Sequence, residues 1–272
     1  MKIKKNFSQF FRRVYEICVF LVFRGIIQRR FIPLSMSSSK KQRVYDRKGK
    51  KILVFNIEDS DEFAILSQIF FREDYNVERF HDIRIRKRYE EIVQDGRTPL
   101  ILDLGGNVGL AAKYFDLMYP GSKIVVIEPS LDNMTRAKNE FSYPNFDFLQ
   151  VAIGASSGYV ELQDPGLGKN ALRVEIVRNG SIEMLDVPTL MTRYLELYTP
   201  FICKIDIEGF EADLFAGESS WIDDFSMVVI ELHDYLFQGE AKSRNFLKQV
   251  ALFDRDFIQM GENTFSIKNS HK

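Results

Sequence analysis

Two cysteines, one tryptophan and three histidines in 272 residues leave little material for several chemistries. Cys18 and Cys203 stand far apart, each in an apolar run, so neither a disulfide framework nor a cysteine-ligated zinc site is implied. A reducing, cytoplasmic setting is expected. The apolar run near the N-terminus, Ile17 to Phe23, falls far short of the roughly 20 residues that span a bilayer. No secretory signal is expected either, because Arg24, Gly25, Ile26 and Ile27 stand where a small-residue cleavage site belongs. The GxGxxG spacing of a pyrophosphate cradle is also missing. What is present, 45% hydrophobic and 28% charged residues, suffices to bury a full core.

The charge is unevenly placed. Residues 1–50 carry 14 basic and 2 acidic side chains, net +12, which leaves 23 basic and 36 acidic, net −13, for residues 51–272. The acidic part argues against a nucleic-acid groove, and the basic part favours an anionic surface. Between Phe7 and Ile27 apolar residues recur at helical spacing opposite Arg12, Arg13, Glu16 and Arg24. That pattern predicts an amphipathic helix, which either lies on an anionic membrane through residues 1–30 or packs on the domain or a second subunit of a homo-oligomer. Ser35 to Ser39 and the basic run Lys40 to Lys51 have linker composition, so the boundary is placed at 50, with an extension over 1–50 and the main domain over 51–272.

From residue 98 onward short apolar runs alternate with amphipathic stretches, the pattern of an α/β, doubly wound, mostly parallel sheet. Strands are expected at Leu100 to Leu104, Lys123 to Ile127, Phe146 to Ala152, Phe201 to Ile207 and Met227 to Leu232. Helices are expected at Leu110 to Met118, Ser130 to Asn139, Thr189 to Tyr198, Glu211 to Ala216 and Ala241 to Asp254. Phe257 to Met260 and Thr264 to Ile267 flank a Gly-Glu-Asn turn and predict a closing antiparallel hairpin. Residues 52–97 lack this rhythm and are expected to be helical, burying Phe63, Ile65, Leu66, Ile69, Phe70 and Tyr75.

Strand Leu100 to Leu104 delivers Asp103, Gly105, Gly106, Asn107 and Gly109 to the crevice where open α/β sheets bind ligands. Asp103 is suited to a cationic amine, or else to stabilising the turn. Glu128, ending the next strand, stands where an acidic residue accepts both ribose hydroxyls of a nucleoside cofactor, a feature that nicotinamide enzymes share. Backbone groups of Ala152 and Ile153 are placed beside the adenine. The run FICKIDIEG interrupts an apolar strand with Lys204, Asp206 and Glu208 at period two, which predicts one shared face of catalytic residues, or else a structural Lys204–Asp206 ion pair with Glu208 capping the next helix. His233, with an ordinary pKa near neutrality, follows the neighbouring strand and is placed to take a hydroxyl proton, oriented by Asp206 or Glu208. Asp206, Glu208, His233 and Asp234 could instead hold a divalent cation, although no metal site is assigned.

DLGGNVGL (Asp103 to Leu110), VIEPSLDN (Val126 to Asn133), VAIG (Val151 to Gly154), CKIDIEGFE (Cys203 to Glu211) and VIELHD (Val229 to Asp234) together resemble the ordered motifs of FkbM-family methyltransferases. Upstream, QIFFREDY (Gln68 to Tyr75) is similar as well. The resemblance implies a Rossmann-like class I methyltransferase fold, S-adenosylmethionine as donor, and a hydroxyl acceptor on a sugar, glycan, lipid or polyketide. By matching position it implies that Asp103, Gly105, Asn107, Gly109 and Glu128 contact the cofactor, while Asp206, Glu208 and His233 lie nearest the acceptor. The basic N-terminal helix departs from a minimal family member and favours a membrane-associated substrate such as a lipid-linked glycan, reached from the inner face of the membrane; the resemblance itself does not fix the acceptor. Two other readings are a nicotinamide-dependent oxidoreductase, which lacks its glycine motif here, and a catalytically silent membrane-associated subunit.

Overall fold

The computed structural model describes residues 29–34, 40–80, 83–163, 173–177 and 179–269. The expected N-terminal helix, Cys18, His81 and His271 lie outside them. Among the described residues no helix is long and apolar enough to cross a membrane. The chain divides into two compact units, 1–73 and 74–272, so the expected boundary at 50 is displaced.

The basic run is not a linker. In the first unit β1 (Phe31–Pro33), β2 (Lys41–Asp46) and β3 (Lys51–Asn56) form an antiparallel sheet in that order. Alternation along β2 buries Gln42, Val44 and Asp46, a strand signal obscured because two of the three inward residues are polar. Phe70, on a turn of π-helix after α1 (Ser60–Leu66), packs edge-on against Phe31 at 5.1 Å and against Phe55 at 4.6 Å. Of the residues expected to be buried here, Leu66, Ile69 and Phe70 are, while Phe63 and Ile65 stay half-buried.

Asp46 has a fully buried side chain, and its two carboxylate oxygens accept from Arg30 Nε at 2.8 Å and Nη2 at 2.9 Å. Burial works to raise its pKa, but Arg30 and the backbone N–H groups of Gly49 and Lys48 outweigh it and hold the carboxyl below its ordinary value. A depressed folded-state pKa stabilises above the unfolded value near 4 and is lost as pH falls through the folded one. Asp46→Asn is therefore expected to flatten the acid limb of the first unit's stability below about pH 4, read by circular dichroism against pH; an unchanged acid limb would count against this pairing.

The second unit is built on a seven-stranded sheet, ordered β13-β14-β12-β11-β4-β5-β6. Its strands are β4 (Thr98–Leu104), β5 (Lys123–Ile127), β6 (Phe146–Leu149), β11 (Tyr198–Ile205), β12 (Met227–Glu231), β13 (Arg255–Met260) and β14 (Asn263–Lys268). Only β14 runs against its neighbours, pairing antiparallel with β12 and β13. The central strands read as unbroken apolar runs because helices cover both faces, and Leu102, Val125, Cys203 and Val228 are fully buried. Helices α2 (Arg84–Gln94), α3 (Leu110–Met118) and α4 (Leu131–Glu140) precede or connect them, with Ser130 capping α4 through Asn133 N–H. This is the class I methyltransferase arrangement.

Several later elements are shorter than expected. Helix α5 is Val187–Met191, α6 is the single turn Glu211–Leu214, and α7 is Arg244–Val250. The strand expected over Phe146 to Ala152 breaks after Leu149, and Ala152–Ile153 (β7) joins a second sheet, ordered β7-β10-β8-β9, with β8 (Gly158–Gln163), β9 (Arg173–Ile176) and β10 (Ile182–Leu185). This four-stranded insertion was not anticipated.

Candidate active site

Parallel pairing of β4 with β11 sets Asp103 directly opposite Lys204. Both are buried, and the Lys204 ammonium lies 3.1 Å from Asp103 Oδ1 and 3.4 Å from Asp206 Oδ2 while donating to the Gly105 carbonyl at 2.7 Å. Burial works to lower the Lys204 pKa, but the two carboxylates outweigh it and hold the ammonium charged. Lys204 thus ties the end of β4, the glycine turn and the end of β11 into one piece. Asp103, expected at a cationic amine, faces the Lys204 ammonium and is not among the residues that line the cavity at the carboxyl ends of β4 and β5.

The glycine turn is held tightly. Gly105 and Gly106 N–H both donate to Ile127 O at 2.9 Å, and Gly105 sits at φ +77° against the Asp206 backbone. A β-carbon there would lie 1.7 Å from Asp206 O, a contact no side-chain motion can relieve. Gly105→Ala is expected to destabilise by more than about 2 kcal/mol and abolish cofactor binding. Gly121→Ala, also at positive φ (+84°) but with open space around it, should cost only the backbone strain of about 1 kcal/mol; equal losses in chemical denaturation would refute the collision. Gly109 (φ +84°) stands at the N-terminus of α3 and does not reach the cavity.

A cavity opens at the carboxyl ends of β4 and β5, where open α/β sheets bind their ligands. Gly105, Asn107, Glu128, Ala152 and Ile153 line it, as expected of cofactor contacts. Glu128 is 7% exposed, and its oxygens accept from Asn107 N–H at 3.0 Å and Ser130 N–H at 2.9 Å. Burial raises its pKa, partly offset by those two donors. Each oxygen keeps a lone pair for a hydroxyl, so the residues present fit a nucleoside ribose. Leu162 and Val174 of the inserted sheet, with Phe210, supply apolar wall suited to a planar base.

Asp206, Ile207 and Glu208 form the far wall. Strand alternation does not place Glu208, because β11 ends at Ile205 and Glu208 sits in a turn at φ +54°. The turn is fixed by Glu211, whose Oε1 accepts from Ile207 and Gly209 N–H, both at 3.3 Å, and from His233 Nδ1 at 2.9 Å. Glu211 was missed because its partner lies on another strand.

His233 is 1% exposed, with Nε2 3.6 Å from Glu231, 3.7 Å from Asp206 and 3.8 Å from Glu208. Burial works to lower its pKa, but Glu211 and the other carboxylates outweigh it and push it up to about 9, so it is not the near-neutral base expected. Burial and Asp206 push Glu208 up to about 8, and burial with Asp206 pushes Glu231 up to about 7. Asp234 turns away and accepts from Ser243 N–H at 3.4 Å.

A mostly parallel sheet closed by an antiparallel hairpin, with an acidic residue after the second central strand and a ligand cavity at the switch point, is the fold of class I methyltransferases. The Methyltransferase FkbM domain matches residues 103–258, more than half of the chain, and the chain belongs to the FkbM family of S-adenosylmethionine-dependent methyltransferases. No curated protein matches it. Similar solved structures include a methyltransferase from Geobacter sulfurreducens, at 12% identity over 78% of this chain and 92% of that one, with a TM-score of 0.36. The plantazolicin methyltransferase BpumL in complex with SAH is 11% identical over 77% and 97%, TM-score 0.35. A putative caffeoyl-CoA O-methyltransferase from Staphylococcus aureus is 12% identical over 78% and 93%, TM-score 0.35.

Proposed function

We propose that the protein transfers a methyl group to a hydroxyl of a sugar, glycan or lipid-linked glycan. The observation that carries this reading is the acidic cluster beside the cofactor cavity. Asp206 and Glu208 belong to the cavity wall, Glu231 stands with them around His233, and all three are partly exposed. S-adenosylmethionine, when bound, supplies an electrophilic methyl on a sulfonium. The chain's task is then to orient an acceptor oxygen and receive its proton, which a group of carboxylates with raised pKa values can do. His233 and Glu211 act behind them as positioning residues. The ribose end is assigned to Glu128, the adenine to the wall around Ile153, and the methionyl end to the glycine turn.

The +12 charge of residues 1–50 supports an acceptor at an anionic membrane surface. The test is to incubate the purified protein with methyl-labelled S-adenosylmethionine and either the membrane or the soluble fraction of a cell extract. Label entering the membrane fraction in a form that survives alkali and is released as methyl iodide by hydriodic acid is the expected result, since methyl esters are lost in alkali and N-methyl groups resist the ether-cleaving acid step. Label only in esters or amines would overturn the hydroxyl assignment, and label only in soluble products would overturn the membrane-bound acceptor.

A further inference from the structure

We infer that Asp206, Glu208 and His233 form a binding site for one divalent first-row transition cation, which holds the acceptor oxygen beside the cofactor. One ligand atom from each of the three lies within 4.8 Å of the others. The imidazole is the informative member. Its Nδ1 meets Glu211 Oε1 at 2.9 Å, a carboxylate behind the ring of the kind that fixes metal-bound histidines. With Nδ1 held by Glu211, a cation that displaces the Nε2 proton would meet the Nε2 lone pair facing the cluster. Nε2, on a side chain 1% exposed, lies 3.6–3.8 Å from three carboxylates, too far for a hydrogen bond to any of them. A buried nitrogen aimed at oxygens it does not bond leaves room for an ion between them.

Charge points the same way. Asp206, Glu208, Glu211 and Glu231 surround one imidazole. Lys204 lies against Asp206 Oδ2, whereas Asp206 Oδ1 is the oxygen nearest His233. A dication would offset the remaining excess of negative charge, which an imidazolium alone offsets only in part. The mixed nitrogen and oxygen set suits Mn²⁺, Fe²⁺ or Zn²⁺ better than Mg²⁺ or Ca²⁺, which prefer oxygen alone. A cation there would polarise the acceptor hydroxyl, a use that rests on the methyl-transfer reading; the binding site itself does not.

The test titrates Mn²⁺ into chelator-stripped full-length protein, following free Mn²⁺ by electron paramagnetic resonance and S-adenosylmethionine binding by calorimetry on the same samples. One saturable Mn²⁺ per chain is expected, weakened at least about tenfold in Glu208→Gln and His233→Ala, and about tenfold in Glu211→Gln through loss of its support to the ring. Asp234→Asn, which leaves the cluster intact, should bind as the wild type does. Calorimetric binding retained in the variants shows that they fold. Absence of saturable Mn²⁺ binding in a wild type that binds S-adenosylmethionine would overturn the site, as would undiminished binding in both Glu208→Gln and His233→Ala. Mn²⁺ bound as expected by a chain that fails to methylate any hydroxyl would uphold the site and sink the reading of its use.

Discussion

Lys204→Met is expected to lower the unfolding midpoint of the second unit by roughly 10 °C, from a loss of about 3–5 kcal/mol. The substitution keeps the length and the apolar stem, so packing is little changed. What it removes is the one ammonium set between Asp103 and Asp206, in register opposite the former. Asp103 is 0% exposed and would be left as a buried carboxylate without its cation, while the Gly105 carbonyl would lose its donor. The double variant Asp103→Asn, Lys204→Met should recover more than half of the loss, because the stranded charge is then gone. Scanning calorimetry checks both, and a single-variant loss below about 1 kcal/mol would show that the pair contributes little.

That pairing marks where sequence reasoning stopped. Lys204 and Asp103 are 101 positions apart, and only the parallel register of β11 on β4 brings them together. Asp103 was legible as a carboxylate at the switch point, but its partner was not. Glu211 escaped for the same reason, since its significance depends on His233, which arrives from β12. The strands of the main sheet were legible because burial on both faces writes them as continuous apolar runs, and the helix Leu110–Met118 was readable to the residue between two of them, although eight of its nine residues are buried. The inserted sheet was not, because β7 spans two residues and β9 and β10 four each, too short for a period to show. Glu208 was placed in the right cluster for the wrong reason: its turn geometry, not strand alternation, carries it there.

Glu128→Ala should weaken S-adenosylmethionine binding by about 100-fold while leaving the sheet intact. Hydrogen bonds from neutral donors to a charged acceptor are worth about 1.5 kcal/mol each at the lower end, and two ribose hydroxyls give about 3 kcal/mol, or somewhat over two powers of ten. The local effect adds to this. Glu128 also receives Asn107 N–H, and Asn107 stands at φ +46° in the glycine turn. Removing the carboxylate frees that amide and loosens the turn that must approach the ligand. Glu128→Gln separates the two contributions, because its one oxygen can still accept from Asn107 N–H and one hydroxyl, whereas its amide nitrogen can accept neither the second hydroxyl nor Ser130 N–H. An intermediate affinity is expected for it, by calorimetry on proteins with matched unfolding curves. Wild-type affinity in Glu128→Ala would move the nucleoside to another wall of the cavity, and with it the geometry that sets the methyl donor against Asp206 and Glu208.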